Sequence, residues 1–135
     1  QFNSGDPLDA NKQQQQFNRT YTTVNGSVVA DGSAPIHVAF GQGSVYGVEA
    51  GLVTANLSGA TVVIDVLKNG VSIMTSTLTL DDTHANREVV VGTVDGTLGQ
   101  YVADDVFEVT VNATVGGGTL GQGLFVLVVF REKAQ

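Results

Sequence analysis

Two acidic pairs and two histidines are the residues of this chain best suited to chemistry. Asp81-Asp82-Thr83-His84 gathers three potential metal ligands within four positions. A calcium loop needs more oxygen donors at alternating positions and a closing carboxylate. Zinc needs a second His or a Cys at ligand spacing. The segment is therefore read as a polar loop between strands, where Asp favours turns. Asp104-Asp105 stands just before an apolar alternation. Paired carboxylates can move protons, but only from a cleft that shifts their pKa values. Glycosidases set such pairs across a groove, not side by side, so turn capping is the expected role here. His37 and His84 lie in different contexts with no Gly-x-Ser-x-Gly or other nucleophile motif. The Gly-rich stretches lack the Lys and helix of a phosphate loop. No catalytic residue, metal ligand or cofactor is expected, and the chain is not read as an enzyme.

The totals narrow the field further. With 135 residues, the chain is long enough for one domain with a sizeable core plus an appendage. It has no Cys, which excludes disulfide staples and thiolate metal sites. Neither a signal peptide nor a transmembrane helix is expected, because no basic segment precedes an apolar run and no run is long enough. Thirteen Asp and Glu against six Lys and Arg give a net charge of −7. Such a surface repels phosphate, so neither nucleic acid nor an anionic membrane is an expected partner. Seventeen Gly, with Val, Thr, Ala and Leu in short alternating bursts, point to an all-β fold of many strands and turns.

The strands that must position these residues follow a period of two from Pro35 onward. Ile36, Val38 and Phe40 alternate with His37 and Ala39. Tyr46, Val48, Ala50 and Leu52 share one face of a longer strand, with Glu49 on the wet side. Lys68-Asn69-Gly70-Val71 is a two-residue hairpin, because Asn-Gly supplies the two positive-φ residues of a type I′ turn. Its register sets Val66 opposite Ile73, Ile64 opposite Thr75 and Val62 opposite Thr77. Val62, Ile64, Val66, Val71 and Ile73 then share a face. Met74, Leu78 and Leu80 fall in the opposite phase, which a bulge near Thr75 to Thr77 would restore. Further strands run over Glu88–Val94, over Val106–Asn112 with Phe107, Val109 and Val111 inward, and over Leu124–Arg131. The total is seven or eight strands in an antiparallel, jelly-roll-like β-sandwich over residues 34–135.

Two segments stand apart. Residues 1–33 form an extended N-terminal arm containing the run Gln13 to Gln16 and few large apolar groups. Asp6-Pro7-Leu8-Asp9 reads as a helix start, and Ala10 to Asn18 would support about three turns. Such a segment is either a disordered tail or an arm that orders by lying across a partner, and the anchors Phe2, Phe17 and Tyr21 favour the second. The last strand places Leu124, Val126, Val128 and Phe130 on one face and Phe125, Leu127 and Val129 on the other. Apolarity on both sides needs a second cover: an intramolecular loop, the arm or another subunit.

The stretch from Gly59 to Ile73, with Asp65-Val66-Leu67-Lys68-Asn69-Gly70 at its centre, resembles a recurrent β-sandwich module of tailed-bacteriophage virion proteins. Ala103-Asp104-Asp105-Val106-Phe107-Glu108-Val109 and Gly121-Gln122-Gly123-Leu124-Phe125-Val126 are similar to later pieces of that module and keep its order. Ser4 to Lys12 resembles the short N-terminal helix segment of phage fibre and appendage proteins, although the Gln run replaces its usual continuation. The resemblance implies a non-enzymatic structural virion protein, either of the capsid decoration (cement) or of the head-fibre type. It would be a homotrimer on the outer capsid surface, bound to the major capsid protein. The arm would grip the shell through Phe2, Leu8, Phe17, Arg19 and Tyr21, and Phe125, Leu127 and Val129 would form the subunit interface. The alternative is a receptor- or carbohydrate-binding distal module of a phage fibre or spike, for which Tyr46 and Tyr101 are the candidate exposed aromatics.

Overall fold

A computed structural model describes residues 15–133. Among them the chain forms ten strands: β1 (Gln15–Thr22), β2 (Gly32–Val38), β3 (Gly43–Thr54), β4 (Thr61–Lys68), β5 (Val71–Ser72), β6 (Leu78–Leu80), β7 (Val90–Gly92), β8 (Gln100–Tyr101), β9 (Val106–Thr114) and β10 (Gln122–Glu132). One sheet runs β1-β10-β3-β7, with β8 also on β3; the other runs β2-β9-β4-β5, with β6 also on β4. All pairings are antiparallel. If β5 is counted as the start of a broken hairpin arm and β8 as an extension, eight principal strands remain. In chain order they pass between the sheets at every step except β4 to β6, which is the double Greek-key order of a jelly roll. The all-β sandwich expected from the alternation is therefore present, with two short strands beyond the expected count.

Period two fills the space between the sheets. Val62, Ile64 and Val66 of β4, Phe107, Val109 and Val111 of β9, and Leu124, Val126, Val128 and Phe130 of β10 are all buried. Full burial of each such side chain contributes roughly 1.5–3 kcal/mol. Asn69 and Gly70 both hold positive φ, as the type I′ turn requires, and Leu67 faces Ser72. The hairpin then departs from simple pairing. Ile64 faces Leu78 instead of Thr75, three residues further along, because Met74 crosses to bridge Val94 of the other sheet. The expected bulge is thus a crossing between sheets, and it returns Leu78 and Leu80 to the buried face.

Four readings need correction. In β2 the pairing with β9 slips between Pro35 and His37. That slip turns Ala39 and His37 inward and leaves Val38 and Phe40 exposed. In β3 Val129 pairs with Gly47 but Phe130 pairs with Val45, so Tyr46 is an extra residue turned to solvent instead of a core residue. Val71 is exposed, because the two-residue β5 ends beside the turn. Finally, Gln15 to Asn18 are extended, not helical, because eight consecutive residues of β1 find partners on β10. Sheet pairing outweighs the weak helical preference of the Gln run. The proposed helix start at Asp6 lies outside the described residues.

The β1 pairing also moves the boundary of the sandwich. Phe17 and Tyr21 pack against the core, Val29 is buried, and β2 begins at Gly32. Residues 15–22 therefore belong to one sheet and β2 from Gly32 to the other, with residues 23–31 connecting them.

Candidate functional site

The outer face of the β1-β10-β3-β7 sheet can be built row by row from the register. Thr22, Phe125 and Gly51 form one row, and Thr20, Leu127, Glu49 and Val91 the next. Asn18, Val129 and Gly47 form a third, and Gln16, Arg131 and Ser44 a fourth. Leu127 and Val129 are half-buried at the middle of this face, and Val91 beside them is 69% exposed. A groove of about 420 Å³ opens between Gln16, Tyr46, Glu49, Val91 and Val129. Tyr46 is 57% exposed, and the Arg131 guanidinium lies 3.7 Å over its ring centroid. This cation–π contact closes one end of the groove with the face's own cation. Phe125 is covered from within the chain: a Cβ on Gly51 would overlap its ring, so only glycine leaves room for it.

The expected contact residues therefore fall into separate groups. Phe125, Leu127 and Val129 share this outer face. Phe17, Arg19 and Tyr21 lie in the opposite phase of β1, paired with Phe130, Val128 and Val126 on the core side. The Phe17 ring stacks on Phe130 with centroids 5.5 Å apart, and the Arg19 guanidinium sits 4.8 Å from the Phe17 centroid. Phe2 and Leu8 lie outside the described residues.

At one end of the core, three strands bring together polar groups that sequence reasoning did not combine. His37 Nε2 of β2 stands 2.9 Å from Glu132 Oε1 of β10. The Tyr101 hydroxyl of β8 donates to the same oxygen at 2.9 Å, and the Phe40 amide donates to Glu132 Oε2 at 3.2 Å. The His37 and Glu132 side chains are only 7% and 9% exposed. Phe130 lies 4.6 Å from the His37 ring and Phe107 lies 4.9 Å from Tyr101, between centroids. Burial pushes the Tyr101 phenol far above its ordinary pKa, and its bond to Glu132 and that carboxylate's charge add to the effect. Tyr101 is therefore a permanent donor. With both Glu132 oxygens engaged, the cluster ties the two sheets together. The available signal was parity: Glu132 extends the buried series that runs from Leu124 to Phe130.

The acidic pairs act in turns. Asp105 accepts from the Val102 amide at 2.9 Å and from Asn69 Nδ2 at 2.8 Å. The Val102 bond, then Asn69 and nearby Lys68, hold its pKa below the usual carboxylate value against slight desolvation. Asp81 accepts from the hydroxyl and amide of Thr83, bonds that lower its pKa, while Asp82 accepts from the Gly59 amide at 2.8 Å. Among the described residues no three His, Asp or Glu side chains are grouped to hold a metal ion. Tyr101 is buried and offers no aromatic face, whereas Tyr46 is exposed with the Arg131 guanidinium over one side of its ring.

No family model matches the chain, and no curated protein matches it. Among solved structures, it is similar to a chain of the structure of turnip yellow mosaic virus at 100 K. That match has a TM-score of 0.39 and 9% identity, and covers 90% of this chain and 94% of the viral one.

Proposed function

We propose that this chain is a structural virion protein of a tailed phage: a trimeric capsid decoration protein that binds the outer surface of the shell. The observation that carries the subunit reading is the apolar middle of the outer sheet face. Leu127 and Val129 lie beside exposed Val91 and Tyr46 on a chain whose net charge is −7. An acidic protein associates most readily through the surface with the fewest carboxylates, and in these outer rows only Glu49 carries one. The ordered motif resemblance supports the virion assignment, and its pieces fall on the β4–β5 hairpin, β9 and β10. Fold alone supplies no function, since jelly rolls serve capsids and lectins alike.

The shell contact on this reading falls to residues 1–14, which precede β1. Phe17 and Tyr21 already serve the core. Shell stabilisation would follow from mass action, because a ligand of the assembled shell shifts its equilibrium. Density mapping of the intact particle tests the assignment. Threefold-related density for this chain on the shell is expected, and density at a fibre tip would overturn it. The arm is tested by deletion of residues 1–14, which leaves all ten strands. The truncated protein should remain folded and lose shell binding, whereas deletion through Ala30 would also remove β1 and cannot separate the two effects.

A further inference from the structure

A second depression, of about 470 Å³, opens at the strand ends near the Tyr101 cluster. It is lined by side chains from both sheets and from the loop before β9, with the buried Tyr101 in its wall. Gln42, Ser44 and Gln100 contribute two amides and a hydroxyl, and no hydrogen bond among the described residues engages those side chains. Lys68 reaches the Gln100 carbonyl at 2.6 Å, which leaves two of its three N–H donors for a ligand. Asp105 stands close enough to feel the Lys68 charge, so the depression holds one cation and one anion and is close to neutral. Val102, 61% exposed, supplies an apolar patch. The loop that carries Phe40, itself 74% exposed, is laced to the Val102–Asp105 turn. The lacing consists of the Ala39 amide on the Asp105 carbonyl and the Asp104 amide on the Ala39 carbonyl, each at 2.8 Å.

We propose that this depression binds a neutral sugar ring. Uncommitted donors and acceptors of Gln42, Ser44, Lys68 and Gln100 line it, and a hydroxylated ring presents both at most of its carbons. Its charges cancel, so nothing selects an ion. An aliphatic patch matches the C–H face of a pyranose. The Tyr101–Glu132–His37 tie behind it fixes the wall in advance, which lowers the ordering cost of binding. Glu132 and Tyr101 are committed to each other and to His37, so recognition falls to Ser44, Gln100 and Lys68. The site shares Ser44 with the last row of the outer face but lies away from Leu127 and Val129 at its apolar middle and from residues 1–14.

Titration of the full chain with glucose, galactose and mannose, followed by amide NMR shifts, tests it. At least one sugar should move the amides of Ser44, Gln100 and Val102 saturably, with a Kd on the order of 1 mM, as befits a single ring on an open site. Ser44→Val and Gln100→Ala should each weaken binding about tenfold, which is one lost hydrogen bond. Lys68→Met, on the exposed hairpin, should weaken it while leaving the rest of the spectrum in place. The proposal fails if none of the sugars gives saturable shifts, if the shifts map elsewhere, or if sialic acid or inorganic phosphate binds this depression more tightly than every neutral sugar. A trimer that ignores sugars would overturn only this inference. A sugar-binding monomer would overturn only the trimeric reading.

Discussion

The two sheets of the sandwich bury equivalent inner faces but present opposite outer ones. The outer rows of the β2-β9-β4 sheet read Ser33, Thr110, Asp65 and then Pro35, Glu108, Leu67, Ser72. Its polar groups bind one another: Ser72 Oγ donates to Asp65 at 2.6 Å, and Ser33 Oγ donates to Glu108 at 3.1 Å. The β1-β10-β3-β7 sheet instead carries Phe125, Leu127, Val129 and Val91 along its middle, with neutral Gln, Asn and Thr of β1 at its edge. The β2-β9-β4 face also carries apolar groups, namely Val63, Leu67 and the exposed Val38–Val106 row, but its bonded polar pairs interrupt them. Among the described residues, the other face has apolar surface that is covered from within only at Phe125. An antiparallel sheet can face water on one side if that side is polar, so on the proposed trimeric reading the less polar side is the one used for contact.

The comparison can be broken in several ways. The largest effect should come from neither face. Glu132→Ala strips His37, Tyr101 and the Phe40 amide of their shared acceptor, and removal of one member of a buried pair costs about 3–5 kcal/mol. Denaturant unfolding measures it, and a loss under about 1 kcal/mol would show that the cluster is not a tie between sheets. Next comes the double substitution Leu127→Asp and Val129→Asp. It should weaken self-association at least about a hundredfold in sedimentation while leaving the fold intact, since two half-buried apolar groups become charges. The matched pair Val63→Asp and Leu67→Asp on the opposite face should leave the mass unchanged, and equal effects would erase the distinction.

Smaller effects follow. Ser72→Ala should cost about 1–2 kcal/mol, with no change in assembly, because it removes two part-buried hydrogen bonds, one to Asp65 and one from the Met74 amide. The smallest effect is a pH dependence at the hairpin end. Asp105 has a folded pKa below its ordinary value, so its contribution is present above that value and fades as pH falls through the lower, folded one. Asp105→Asn should flatten that acid limb of the stability curve, as thermal melts at successive pH values would show. An unchanged limb would mean that the Val102 and Asn69 bonds do not favour the charged form.

Much of this architecture could be read from residue order alone. The Asn69-Gly70 turn, the buried phases of β4, β9 and β10 and the capping by Asp105 follow from local chemistry, since each depends on neighbours within a few positions. The readings that failed depend on distant partners. The slips at Ile36 and Tyr46 invert a strand's faces by one residue, and only pairing with β9 and β10 reveals them. Gln15 to Asn18 lack a strand-like pattern of their own and are extended because β10 offers an edge. The functional faces were half legible. The two-sided apolarity of β10 flagged Leu127 and Val129, but Val91 and Tyr46 join them through cross-strand register. Likewise His37, Tyr101 and Glu132 lie far apart in sequence and meet only when three strands converge.

The position of β10 also bears on how the molecule is made. It lies between β1 and β3 and pairs with both, yet it is the last of the ten strands in chain order. Until residues 122–132 have been synthesised, the earlier two strands have no neighbour to join them. β1 then has no partner strand and β3 has one edge unpaired, while β3 can already meet β7 and β8, and β4 can meet β9. Long-range closure of this kind is slow and exposes sticky edges. A nascent chain stalled just before Gln122 should therefore expose unpaired β1 and β3 edges and be aggregation-prone, and completion of β10 removes that exposure.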